Sequence, residues 1–151
     1  IDISRLRDWG VWRKVGKPLI GRMIRQHEQN GDFTGATYIL ASACFTIGLF
    51  DKPIAIAALA FIIVGDSFAA IIGRRFGRHR FGRKSIEGSL ACLVGTCIVA
   101  AIGPSFGLQP SVAFAGAVVA TVVEALSTKV DDNVSVPLLS GLAMTIVTKV
   151  L

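Results

Sequence analysis

The chain has 151 residues, is 52% hydrophobic with a mean hydropathy of +0.63, and carries a net charge of +6. So apolar a chain with its charge gathered into clumps is not an ordinary soluble domain, whose charged residues cover the whole surface. Between residues 35 and 64 the only charges are Asp51 and Lys52, and between 88 and 123 there are none. About 20 apolar residues cross the hydrocarbon core of a bilayer, and an open sheet cannot satisfy its backbone there. The pattern therefore predicts an all-α integral membrane protein: a polytopic helical bundle of about five transmembrane helices behind N-terminal interfacial helices.

Residues 1–33 are basic and mixed, with Arg5, Arg7, Arg13, Lys14, Lys17, Arg22 and Arg25. Leu6, Trp9, Trp12, Leu19, Ile20, Met23 and Ile24 recur at spacings of helical type, which predicts amphipathic helices at the interface, divided near Gly16 and Pro18. A solvated connector is the alternative. The chain opens on Ile1 without a signal peptide and is expected to be the C-terminal part of something longer.

Residues 34–151 are expected to form the transmembrane domain. The first span is placed at about 34–50, and Asp51-Lys52-Pro53 makes a turn. A second span, about 53–73, carries Asp66. Residues 74–86 form a basic loop with six cations, Arg74, Arg75, Arg78, Arg80, Arg83 and Lys84, and with His79 among them. The third span, about 87–103, opens on Glu87; after a turn near Gly103-Pro104 the fourth, about 110–127, carries Glu124. A polar loop, 128–135, holds Asp131, Asp132 and Asn133, and a fifth span starts near Val136. Cys44, Cys92 and Cys97 lie in apolar runs without metal-like spacing and read as small apolar filler.

The bias of Lys and Arg in loops orients membrane helices, basic side inward. The N-terminal segment and the 74–86 loop hold nearly all of them, so both face the cytosol, as does 128–135 when five spans are counted. Asp66 lies about 10 Å before Gly73 along a helix. Asp66, Glu87 and Glu124 thus all lie toward the cytosolic ends of their helices. An ionisable group in a span is expensive and a functional candidate by default; for each, pairing with an arginine for structure alone is the competing reading.

In GRRFGRHRFGRKS, Gly73 and Gly77 allow close backbone approach to phosphate oxygens, and arginine forks bind them. The alternative for this loop is a contact with anionic lipid. Gly77, Gly82, Lys84 and Ser85 come near a Walker A loop with one extra residue, but an apolar helix precedes them where that loop needs a strand, so it is rejected. Asp131 and Asp132 repel unless a cation joins them, and such oxygens suit Mg²⁺. Asp or Asn as a helix cap, with Pro137 in the first turn, is the alternative.

GDSFAAIIGRRFGRHRFGRKSIEGS, followed by EALSTKVDDNVSVPLLSG, resembles the CTP-dependent lipid kinase family of dolichol kinases, phytol kinases and CTP-using diacylglycerol kinases, itself similar to phosphatidate cytidylyltransferases. The resemblance covers about 35–148. Members usually carry an Arg-Lys pair in an early helix; no apolar span surrounds Arg13-Lys14, so that pair is expected upstream of Ile1. The resemblance implies transfer of the γ-phosphate of CTP to the hydroxyl of a membrane lipid such as diacylglycerol, a polyprenol, dolichol or phytol. It implies catalytic roles for Asp66, Glu87 and Lys84. Nucleotide binding would fall to Gly73, Arg74, Arg75, Gly77, Arg78, His79 and Lys84, and Mg²⁺ to Asp66 with Asp131, Asp132 and Asn133. Glu87 would orient Lys84 or act as base. The rivals are a cytidylyltransferase making a CDP-lipid, and a transporter or scaffold without enzymatic activity. A prokaryotic cell membrane with the site facing the cytosol, a homodimer and no nucleic-acid partner complete the expectations.

Overall fold

In the computed structural model the described residues are 35–82, 84–127 and 132–151. The expected interfacial helices at 1–33, Arg83 and Asp131 lie outside them. The chain divides into two compact units, Ile1–Leu40 and Ala41–Leu151. The described part of the first is the opening of helix α1; the account below concerns the second.

Among the described residues five helices follow in order: α1 (Gly35–Leu49), α2 (Lys52–Phe76), α3 (Ile86–Ile102), α4 (Pro110–Leu126) and α5 (Asp132–Val150). A two-stranded hairpin, β1 (Arg80–Phe81) and β2 (Lys84–Ser85), joins α2 to α3, and a short 3-10 turn, Gly103–Phe106, follows α3. Among the described residues α2, α5 and α3 with its 3-10 turn are long and apolar enough to cross a membrane. The apolar helices α1 and α4 are shorter; α4, at 17 residues, reaches about 26 Å against a hydrocarbon core of about 30 Å.

The helix boundaries follow from local chemistry. Pro53 sits in the first turn of α2 and Pro110 opens α4, positions where a missing N–H costs nothing. Ser85 caps α3, its Oγ accepting from the Gly88 N–H at 3.1 Å. Helix α2 runs on through Arg74 and Arg75, whose charges suit the negative end of its dipole. The basic loop is therefore shorter than expected from sequence. Helix α5 starts at Asp132, a turn earlier than expected, with Asp132 at the positive end of the dipole. That leaves Pro137 inside the helix rather than in its first turn, where it cannot donate to the carbonyl one turn back.

Helix α2 packs against α3, α4 and α5, and α4 packs against both α3 and α5. Phe61 of α2, Val112 of α4 and Met144 of α5 fill the centre, among Ala57, Ala58, Ala113 and Ala117. Small residues bring the helices close: a Cβ on Gly116 would lie 2.6 Å from Met144 Cγ and Sδ. Thr96 of α3 and Thr121 of α4 share a hydrogen bond of 3.1 Å between buried hydroxyls, so neither is stranded in the apolar interior. The outer faces present Ile63, Ile71, Leu90, Val94, Val118 and Leu142, each half exposed or more. Such faces suit lipid. Replacing Gly116 by Val should cost about 1–3 kcal/mol by forcing Met144 and Phe61 aside, read as a lower thermal midpoint in detergent; an unchanged midpoint would show that the interface is slack.

Candidate functional site

Four elements deliver charged side chains to one end of the bundle. Asp66 comes from α2, Lys84 from β2, Glu124 from the last turn of α4, and Asp132 from the first residue of α5. Carboxylate oxygens of Asp66, Glu124 and Asp132 lie within 4.8 Å of one another. The Lys84 ammonium donates to Glu124 Oε1 and, at 2.9 Å, to Asp132 Oδ2. The Glu124 side chain is 3% exposed, against 20% for Lys84 and 26% for Asp132. Glu124 Oε2 is buried and has no hydrogen-bond partner among the described residues.

Burial disfavours the Lys84 ammonium, but the hydrogen bonds and charges of Glu124 and Asp132 outweigh it and hold its pKa above the ordinary lysine value. Lys84 is therefore a cation at neutral pH, and it compensates two carboxylates that the surrounding apolar helices would otherwise penalise.

The hairpin puts Lys84 in place. Arg80 pairs with Ser85 and Phe81 with Lys84, and Gly82 supplies the left-handed turn residue with φ +63°. Its base is held by Glu87. The His79 N–H donates to both Glu87 oxygens, at 3.2 and 3.3 Å, and His79 Nδ1 lies 2.8 Å from Oε1. The Ile86 N–H closes the loop onto the His79 carbonyl at 3.0 Å. The structure thus puts Glu87 on His79, and the partners of Lys84 are Glu124 and Asp132.

The glycines have a packing requirement of their own. A Cβ on Gly77 would lie 2.2 Å from the Gly73 carbonyl oxygen and 2.8 Å from Ser85 Oγ, and one on Gly88 would lie 3.0 Å from Ser85 Oγ. Gly73, Gly77 and Gly88 let the end of α2, the hairpin and the start of α3 cross in contact. Outside this crossing, Arg74, Arg75, Arg78, His79 and Arg80 are exposed, with the Arg75 guanidinium 5.6 Å from the centre of the Phe76 ring. Asn133 follows Asp132 in the first turn of α5.

Of the residues singled out from sequence, Asp66, Lys84 and Asp132 converge; Glu87 and His79 meet beside them. Glu124 was absent from the expected ligand set. Its signal was its place as the first charge after the uncharged stretch 88–123, but only the approach of α4 to the hairpin shows what it faces.

A helical membrane bundle with an acidic cluster and an arginine-rich hairpin at one end is the class these features define. The chain is 32% identical to the probable phytol kinase 2, chloroplastic, of Oryza sativa subsp. japonica, over 97% of this chain and 54% of that protein. It is 36% identical to the phytol kinase of Synechocystis sp., over 69% of this chain and 48% of that protein. It is 30% identical to dolichol kinase sec59 of Schizosaccharomyces pombe, over 91% of this chain and 29% of that protein. No family model and no solved structure matches it. The chain is thus homologous to phytol and dolichol kinases, as its motifs suggest, and spans about half the length of the phytol kinases it matches.

Two outcomes check this geometry. In a double-mutant cycle on thermal unfolding, Lys84→Met and Glu124→Gln should couple by about 1–3 kcal/mol; additive losses would mean the pair is not formed. Glu87→Ala should open the hairpin to trypsin more than His79→Ala does. Only the first change strands the His79 N–H. Equal cleavage rates would remove Glu87 from its holding role.

Proposed function

We propose that the protein is a CTP-dependent lipid kinase that moves the γ-phosphate of CTP to the hydroxyl of a membrane lipid alcohol at the cytosolic face. The observation that carries this reading is the convergence of Asp66, Glu124, Asp132 and Lys84 at the bundle end, beside an exposed run of arginines. The kinase names of the relatives support the reaction class. The choice of CTP rests on the family resemblance.

Phosphoryl transfer needs charge neutralisation and alignment more than covalent chemistry. Arg74, Arg75, Arg78 and His79 stand where a triphosphate entering from water would meet them, and guanidinium forks match phosphate oxygens in pairs. The site also fits Mg²⁺: the donors are hard oxygens within reach of one centre, and Glu124 Oε2 is a buried acceptor without a partner among the described residues. Asp66 and Asp132 would hold the ion, with Asp131 and Asn133 next to Asp132 in sequence. When bound, Mg²⁺ would neutralise phosphate charge and align the chain.

The lipid hydroxyl oxygen forms a bond to the γ-phosphorus while the bond from that phosphorus to the bridging oxygen breaks, and CDP leaves. The hydroxyl proton passes to Asp66, the most exposed of the three carboxylates. Glu87 contributes by holding His79 and the hairpin. The apolar outer faces of α2 and α3 let a lipid alcohol reach the bundle end sideways from the bilayer.

The test supplies the full-length protein in liposomes with Mg²⁺, a panel of lipid alcohols and phosphatidate, and CTP labelled in the α- or γ-phosphate. γ-Label should enter an alcohol, and Asp66→Asn should lower turnover at least about 100-fold with the thermal midpoint retained. α-Label entering lipid would make the protein a cytidylyltransferase; label in neither would leave a transporter or scaffold.

A further inference from the structure

Two features of the cluster take no part in the transfer step itself. One is the position of the Lys84 ammonium, which sits against two of the three clustered carboxylates, Glu124 and Asp132. The other is Glu124 itself: one oxygen bonded to Lys84, the other buried and without a partner among the described residues. A carboxylate this deep is costly to keep with half of its acceptor capacity unused.

The dimensions of the cluster allow one cation at its centre. Oxygens across a six-coordinate Mg²⁺ stand about 4.2 Å apart, and those of Asp66, Glu124 and Asp132 all lie within 4.8 Å of one another. An ion touching all three would contact Glu124 and Asp132, the two carboxylates that the ammonium now holds. A divalent ion and an ammonium so close, in a partly buried site, repel strongly. Lysine has the means to leave, with a flexible four-carbon stem that reorients without unfolding its strand. The exposed arginines and His79 lie on the same short hairpin and on the adjoining end of α2, so phosphate bound there would be near the released ammonium.

We infer that Glu124 is a third metal ligand and that Lys84 and the divalent cation are alternative occupants of the Asp66–Glu124–Asp132 site, so that metal entry releases Lys84 toward the nucleotide phosphates. Lys84 then has two positions in the cycle. Without metal it is the counter-ion that keeps Glu124 and Asp132 compatible with the bundle. With metal it becomes a phosphate donor. This rests on the reading of the site as one that holds Mg²⁺, and it adds that the empty protein protects its own ligands with a side chain it later uses.

The test uses Mn²⁺ alone as probe, with the full-length protein in detergent and no nucleotide, and binding read by electron paramagnetic resonance. Lys84→Met removes the competing cation and should tighten Mn²⁺ binding about tenfold or more. Glu124→Gln, close in shape, should weaken it about tenfold or more. In the wild type, Mn²⁺ should raise the labelling of Lys84 by an amine reagent, read by mass spectrometry, because the ammonium leaves its carboxylates. Unchanged or weaker binding in a folded Lys84→Met variant would overturn the exchange, as would a tighter variant with labelling of the wild-type Lys84 unaffected. Binding unaltered by Glu124→Gln would overturn its role as ligand. If Lys84→Met does not fold, the labelling of the wild type decides alone. Failure of γ-label transfer with the Mn²⁺ exchange intact would defeat the kinase reading and leave this inference standing; transfer with no exchange would do the reverse.

Discussion

The site depends on one electrostatic constraint: carboxylates at the ends of apolar helices must be compensated. Glu124 is almost wholly buried and Asp132 largely so, and both meet the Lys84 ammonium. Remove that contact and two negative charges are left in surroundings that solvate them poorly, a far larger penalty than the contact's net worth in water. The same contact ties the hairpin to the start of α5 and the end of α4, elements 40 or more residues away in sequence. Geometry and charge compensation are therefore one device: the acids need a cation, and Lys84 supplies it.

The hairpin carries that cation because of the crossing beneath it. Without side chains at Gly73, Gly77 and Gly88, the end of α2 and the start of α3 touch through Ser85, which also caps α3. Glu87, in the first turn of α3, fastens the loop by the backbone of His79. Each of these residues lies within a stretch of sixteen, 73–88. That is why the motif is dense: a short segment has to leave a membrane helix, present arginines to water, place one lysine, and enter the next helix without stranding polar groups.

The homologous kinases match this chain over its helical region. The matched stretch includes both the 65–89 segment and the acidic sequence that leads into α5, and the structure shows why these two segments occur together. Asp66 and Lys84 come from the first, Glu124 and Asp132 from around the second, and neither segment alone makes a cluster of three acids and a cation.

Much of this was legible in the residues. Apolar runs broken at Asp51-Lys52-Pro53, Gly103-Pro104 and 128–135 determine that the chain forms apolar helices with breaks near those places, because charges and prolines are least costly at a helix end or a turn; Pro137, inside α5, is the exception. The clumping of cations after Gly73 determines that one end of the bundle is basic. Sequence position does not determine which acids converge. Asp66 is separated from Glu124 and Asp132 by the hairpin, α3 and most of α4, and their meeting depends on how α2, α4 and α5 rotate and cross, which is set by packing around Phe61, Gly116 and Met144. Likewise Glu87, three residues from Lys84 in the chain, turns to His79 because the hairpin folds back on α3. Local composition decides what a segment can be; the contacts between segments, through close packing and charge compensation, decide what the site is.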